Sequence, residues 1–331
     1  MAAAILGYLI MPDPTPMANN MALQLSIKKP GSQFMMLRLP KETKIDTVNI
    51  FIRMLFGQPA FYREIPIAAY RFTKDSVFVD EYMGEEDKPE KKTYSNVSAS
   101  IVYKTFWLGT DIYGRDLLSR LILGTRISLS VGLMSVIISM LLGVTIGSAA
   151  GYFGGFTDAV LSWLMNILWA LPTLLLVIAI SFALGKGLGQ IFIALGLSMW
   201  VEVARLVRGQ VLSLKQAEYV EAARSLGFNN YRIIRRHILP NITGPVLVLA
   251  SSNFASAILL EAGLSFLGFG AQPPMPTWGS MIKEHYGYIV MDSAYLAIIP
   301  GMAIIVLVYA FNLVTIGLRD AFDIKSKNAR F

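Results

Sequence analysis

The chain of 331 residues is 54% hydrophobic and only 15% charged, with a formal net charge of +7. Soluble globular domains average about 25% charged residues, and the mean hydropathy here is +0.54, so the composition excludes an ordinary soluble protein and points to a membrane. Cysteine is absent and the histidines are His237 and His285 alone, which excludes disulfides, thiolate metal sites and His-rich metal clusters.

Met1–Ile10 is apolar but has half the roughly twenty residues that a spanning helix needs. It also lacks the basic start and cleavage site of a signal peptide. Residues 1–11 taken alone read as a short interfacial anchor; the family resemblance drawn below implies instead the outer part of a first transmembrane helix that begins upstream. Residues 12–108 change character, with mixed charge and clusters such as Glu85-Glu86-Asp87 and Lys91-Lys92. Alternating or β-branched runs at Ala22–Ile27, Phe34–Leu39, Ile67–Phe72, Ser76–Tyr82 and Ser98–Phe106 predict strands. A short helix is expected over Ile45–Phe56 and a loop near Gly84–Lys92. Together these predict a small α+β domain outside the bilayer.

The next stretch carries Gly109-Thr110-Asp111, Gly114-Arg115-Asp116, Ser119-Arg120, Gly124 and Arg126. Paired carboxylates can do acid–base chemistry, but Asp111 and Asp116 are expected to cap and to pair with Arg115 and Arg120 at the membrane surface. Residues 109–331 then read as a membrane domain. Its five long apolar segments are Ile127–Tyr152, Ala159–Leu184, Gly189–Arg205, Thr243–Phe269 and Ala294–Leu318, each able to cross or nearly cross about 30 Å of hydrocarbon. Gly143, Gly147 and Gly151 recur every four residues and predict a close helix contact. Pro172 and Pro300 predict kinks. Gln272-Pro273-Pro274 and Pro276-Thr277-Trp278-Gly279 predict a rigid outer loop, with Trp278 and Tyr286 as interfacial anchors or docking contacts. With the first, partial helix the total is six.

Between the third and fourth of these segments lies a polar, basic stretch, Lys215–Asn241. Helix formers fill Glu218–Leu226. Gly227 stands where a helix would end in a left-handed residue, and Asn229 or Asn230 can cap a second helix. Pro240 disfavours helical geometry at Leu239, so the reading is helix, turn, helix, exit. Ala222 and Ala223 are expected to form a smooth strip that another protein can approach. Arg205, Arg208, Lys215, Arg224, Arg232, Arg235 and Arg236 put this loop in the cytoplasm. Arg319, Lys325, Lys327 and Arg330 fall on the same side. Counting crossings puts residues near Glu86 outside.

Glu221-Ala222-Ala223, Gly227 and Ile238-Leu239-Pro240 resemble the EAA loop of ATP-binding-cassette (ABC) importer permeases, with His237 where that family usually has an aliphatic residue. The Gly109–Asp116 motif resembles the segment before the second transmembrane helix in the dipeptide, oligopeptide and nickel branch, specifically its C-type permease. The resemblance implies an all-α, six-helix type I importer bundle, here with an α+β insert, in the bacterial inner membrane. It implies a translocation subunit for peptides, or alternatively for a nickel chelate. Its partners would be a homologous permease, two cytoplasmic ATPases, an extracytoplasmic solute-binding protein and lipid, with no nucleic acid. Glu221, Ala222, Ala223, Gly227, Leu239 and Pro240 would dock the ATPase.

No Walker A sequence occurs, and Gly185-Lys186-Gly187 fails at both ends. ATP and Mg are thus expected on partner subunits, with no cofactor, metal or catalytic residue in this chain. Two acids lie at membrane depth. Glu202, with Arg205 and Arg208 at i+3 and i+6, predicts an interfacial ion pair. Glu261 is either a pathway or coupling residue or a carboxyl satisfied within the bundle. An ion-coupled carrier would need several such groups near the midplane, and it leaves the EAA-like loop unexplained.

Overall fold

The computed structural model describes residues 2–41, 45, 47–74, 76–85, 87–95, 99–185 and 187–328. Glu86, Lys186 and Arg330, used above for topology and nucleotide binding, lie outside the described residues, as do the side chains of Lys325 and Lys327. By internal contacts the chain divides into two compact units, Met1–Ile127 with Pro273–Pro300, and Ser128–Gln272 with Gly301–Phe331.

The first unit holds the insert. It begins with helix α1, Ala2–Ile10, nine residues long. A five-stranded antiparallel sheet follows in the order β4-β3-β2-β1-β5. Its strands are β1 Ser32–Pro40, β2 Tyr62–Phe72, β3 Ser76–Glu81, β4 Glu90–Ser95 and β5 Ser100–Phe106. Period-two alternation sends Leu37, Ile65, Ile67, Val77 and Val79 into one core. Met36 and Phe106 meet Leu25 in a second cluster. Helix α2, Ile50–Phe56, is shorter than the expected 45–56 helix, and the Asn49 side chain caps it by accepting from the Phe51 amide.

Two expectations fail here. Ala22–Ile27 is not a strand but contains a 3₁₀ turn, Leu23–Leu25. Its backbone is bonded elsewhere: Ala22 N donates to Tyr113 O and Ile27 N to Asp111 O. The loop expected near Gly84–Lys92 ends early, because Glu90–Ser95 is strand β4. Its sequence, EKKTYS, looks like solvated loop because it is an edge strand, and edge strands carry charge that discourages further pairing. Lys92 is paired to the buried Glu81 of β3 at 2.8 Å.

The membrane-length helices are α3 Leu117–Phe153, α6 Leu188–Leu214, α9 Leu239–Leu267 and α11 Tyr295–Asn328. Between α3 and α6 lie α4 Gly155–Trp169 and α5 Thr173–Leu184, bent by 96° at their junction. Among the described residues four helices are long and apolar enough to cross a membrane, or five if α4 and α5 form one broken span. Pro172 causes the break: it lacks an N–H, so it can only begin α5. Pro300, by contrast, is carried inside α11.

In the second unit α3 and α6 pack at the glycine strip. A Cβ on Gly143 would lie 2.4 Å from Val203 Cβ, and one on Gly147 2.4 Å from Ala204 O. The contact at Gly147 is with backbone, which cannot rotate aside. Gly147→Leu is expected to force the helices apart at a cost of about 1–3 kcal/mol or more, as overpacking does. Gly209→Leu, at a glycine with open space around it, is expected to be tolerated. Comparing membrane levels and unfolding temperatures of the two variants checks this; equal behaviour would remove the close contact from the argument.

Candidate functional site

The loop between α6 and α9 is built by local rules. Helix α7 spans Glu218–Ser225 and α8 spans Asn230–Ile233. Gly227 sits between them at φ +78°. Phe228 N donates to Ala223 O at 3.2 Å and Gly227 N to Arg224 O at 3.0 Å, which is a Schellman closure around a left-handed residue. Asn229 caps α8 by accepting from Arg232 N at 2.8 Å, and Tyr152 OH donates to Asn230 Oδ1 at 2.9 Å. His237 stacks on Phe228, ring centroids 6.0 Å apart.

No exit occurs at Pro240. Ile234–Ile238 forms a π turn and Leu239 is right-handed helical, so Asn230–Leu267 runs as one 38-residue span. The wide turn takes up the proline: Leu239 N bonds Ile234 O, five residues back, and Pro240 falls in the first turn of α9, where a missing N–H costs little.

Which side chains face out is set by the 100° step per residue. Val220 and Ala223 join Val203, Val207 and Val211 of α6 and Ile238 and Ile242 in one buried cluster. Glu221, Ala222, Gly227 and Pro240 are exposed, and Leu239 is half-buried. The expected two-alanine strip is therefore narrowed to Ala222, because Ala223 is only 4% exposed and turned into the bundle.

The motif Gly109–Asp116 lies in the first unit, at the root of the insert. A Cβ on Gly114 would come 1.8 Å from Ala22 O, and one on Gly109 2.2 Å from Lys28 O. Thr110 Oγ1 accepts from Lys28 N at 2.8 Å and donates to Leu25 O. Asp111 Oδ1 accepts from the amides of Tyr113 and Arg115, each at 2.9 Å. Its Oδ2 accepts from Arg115 Nε at 2.6 Å and lies 3.6 Å from Arg120 Nε. Both arginines also reach Glu284 Oε2, at 3.1 and 3.9 Å. Asp116 caps α3 by accepting from Ser119 N at 2.8 Å, and burial pushes its carboxyl above the usual range despite those bonds.

Helix α10, Trp278–His285, contributes Glu284 and His285 to this hub. Burial pushes the His285 imidazole down, against the upward pull of the Met281 carbonyl and of Asp111 and Glu284. Asp111, Glu284 and His285 bring ligand atoms within 4.8 Å of one another. Two guanidinium groups already occupy the carboxylates, however, and their charge opposes a cation, so the cluster is an ion-pair hub. Trp278 is buried, donating Nε1 to Leu121 O at 3.0 Å, which rules it out as an interfacial anchor. Tyr286 is exposed.

In the second unit Glu261 is 1% exposed. Ser265 Oγ donates to its Oε1 at 2.7 Å and Ser128 Oγ to its Oε2 at 3.4 Å. The expected pairing of Glu202 fails. Arg208 is bound bidentately to Asp158 at 2.6 and 2.7 Å, and Arg205 donates to Asn166 at 2.6 Å. Helical spacing alone favoured the arginines three and six positions on; acceptors on α4 take both.

Residues 143–327 match the family described as "Binding-protein-dependent transport system inner membrane component". The chain belongs to this family. It is similar to the glutathione transport system permease protein GsiD of Pectobacterium atrosepticum, 45% identical over 222 residues, 67% of this chain and 73% of that protein. It is also similar to the dipeptide transport system permease protein DppC of Alkalihalophilus pseudofirmus, 42% identical over 67% of this chain and 73% of that one. The oligopeptide transport system permease protein OppC of Bacillus subtilis is 41% identical over 67% and 72%. In fold, a chain of the inward-facing MetNI methionine ABC transporter superimposes with TM-score 0.51 at 21% identity, over 62% of this chain and 95% of that one. The protein is thus an ABC importer permease with the type I fold and an added sheet insert. It is a translocation subunit and not an enzyme, and it works with a solute-binding protein and an ATPase.

Proposed function

We propose that this permease conducts peptides across the bacterial cytoplasmic membrane, set in lipid beside a homologous second permease. The relatives named for dipeptide, oligopeptide and glutathione transport support the peptide class. ATP and Mg belong to two cytoplasmic ATPase subunits, which dock on the loop at Glu221, Ala222, Gly227 and Pro240, with Ala223 and Leu239 holding that surface from within.

The observation that carries the coupling role is the closed turn at Gly227. It presents Glu221 and Ala222 outward while Val220 and Ala223 lock α7 into the cluster with α6 and α9. A push on α7 therefore moves both long helices as packed bodies, because such a core does not deform continuously. Glu261, held by two serine hydroxyls, serves the packing of the bundle. In this reading residues 12–108 lie outside the membrane, and residues 109–331 form the permease with its loop at 215–241.

Proteoliposomes containing this chain, the sister permease and both ATPases should take up labelled dialanine only with the solute-binding protein outside and ATP on the ATPase side. Uptake that persists without the ATPases would reject the reading. Topology has its own test. Single cysteines at Glu85 and Arg236 in this cysteine-free chain should react with an impermeant thiol reagent in permeabilised-outer-membrane cells at 85 only. Labelling at 236 and not at 85 would invert the assignment.

A further inference from the structure

The junction of α4 and α5 turns by 96° within apolar sequence, at Ala170-Leu171-Pro172. Irregular backbone at membrane depth is stable only where it is buried in protein or lines a water-filled cavity. A cavity is present here. It has a volume of about 450 Å³ and is lined by Trp169, Leu171, Thr173, Ser198, Glu202 and Ser256, among others. That size falls in the range of roughly 300–1,000 Å³ typical of small-ligand sites.

Glu202 is the acid of this cavity; it is exposed on α6, a membrane-length helix whose other charged residues are Arg205 and Arg208. A carboxylate at that depth is expensive unless it faces a partner or water. The two arginines within helical reach are engaged elsewhere. Arg208 is bound to Asp158; Arg205 is bound to Asn166 and lies 4.6 Å from the Trp169 ring centroid. Glu202 makes no ion pair among the described residues. A broken span, a cavity and an unneutralised carboxylate thus coincide on the helix that α7 grips through Val203, Val207 and Val211.

We infer that Glu202 is the pathway residue that receives the α-ammonium group of the passing peptide. The inference rests on the peptide-importer reading. A single carboxylate is too few ligands for a divalent cation, which takes six or more oxygens. The α-ammonium is the cation that unmodified linear peptides share whatever their side chains, so an acid here favours peptides as a class without choosing among their sequences. Trp169 and the hydroxyls of Ser198 and Ser256 supply an apolar wall and weak polar contacts for the rest of the chain. Because α6 is locked to α7, nucleotide-driven movement of the loop moves Glu202 with it and changes its access to either side.

The test uses the assembled transporter in two measurements. In nanodiscs without the solute-binding protein, saturation-transfer NMR compares dialanine with N-acetyl-dialanine. The wild type should favour the free amine and Glu202→Gln should treat the two alike. In proteoliposomes, Glu202→Gln should reduce dialanine moved per ATP hydrolysed by about tenfold, the loss expected for one charge-assisted contact. ATP hydrolysis and complex assembly should persist, and Glu202→Asp should restore most of the transport.

Equal signals from the two ligands in the wild type would overturn the assignment. So would transport per ATP left unchanged by Glu202→Gln, or a loss of assembly with the sister permease, which would make Glu202 an intersubunit ion pair. Wild-type vesicles that take up no peptide at all would instead overturn the peptide reading itself.

Discussion

Gly227→Val is expected to cut peptide uptake and receptor-stimulated ATP hydrolysis together, on the order of tenfold or more, at normal membrane levels. The strain is conformational and not steric. A Cβ at Gly227 would meet nothing within 4 Å, but φ is +78°. A β-branched residue resists that region, at a cost of about 1–2 kcal/mol, which is comparable to a tenfold shift in the population of the turn. The Schellman bonds from Gly227 N and Phe228 N would be lost in the alternative conformers, and α8 would leave α7 at a different angle. Gly227→Asn provides the control, because asparagine tolerates the left-handed region, and it should retain most activity. Glu221→Lys, at an exposed position in the first turn of α7, should lower activity by reversing charge at the docking surface. Measuring uptake and ATPase on the same reconstituted samples checks all three. Full activity of Gly227→Val at normal levels would remove this turn from the coupling route.

How much of this was readable beforehand depended on whether local rules decided the outcome. The turn at Gly227 was legible because glycine, helix formers and asparagine agree on one local conformation. The glycine strip at 143, 147 and 151 was legible because its spacing needs only one neighbour of any kind. Pro240 misled for the converse reason. Proline's effect on Leu239 is a preference of about one residue's conformation, and a π turn outweighed it within a long packed helix. Strand β4 hid because an edge strand has the composition of a loop. Ala22–Ile27 looked like a strand, but its partners lie some 85 residues away, around Thr110 and Asp111, and no local pattern reports them. Glu202 was misread since i+3 and i+6 spacing says which arginines are near and nothing about Asp158 and Asn166, which compete for them. Glu284 and His285 were missed as hub residues: they reach Asp111 and the two arginines only through α10, far along the chain.

That hub carries the largest expected effect on stability. Asp111 and Arg120 are 0% and 1% exposed, and Arg115 is 2% exposed. Burying such charges is costly, and their mutual attraction returns the cost only while every partner is present. Arg115→Met removes the guanidinium bound to Asp111 Oδ2 at 2.6 Å and to Glu284 Oε2 at 3.1 Å. Arg120 remains, 3.6 Å away and poorly placed to replace it. The loss should be about 3–5 kcal/mol, as for other buried pairs broken on one side, and should appear as sharply reduced membrane levels and a lowered unfolding temperature in detergent. Asp111→Asn should cost a similar amount. It keeps an acceptor for the amides of Tyr113 and Arg115 but leaves two buried arginines sharing Glu284. Glu284→Gln should be milder, because its side chain is 20% exposed and water can replace it. The order matters more than any single value. If Glu284→Gln proves as damaging as Arg115→Met, then Asp111 is not the centre of the network. If Arg115→Met is neutral, the root of the insert is held by its backbone bonds to Ala22–Lys28 and not by charge. Because the hub joins the turn before α3 to α10 within the first unit, its loss should also expose the insert to limited proteolysis, which provides a readout independent of thermal unfolding.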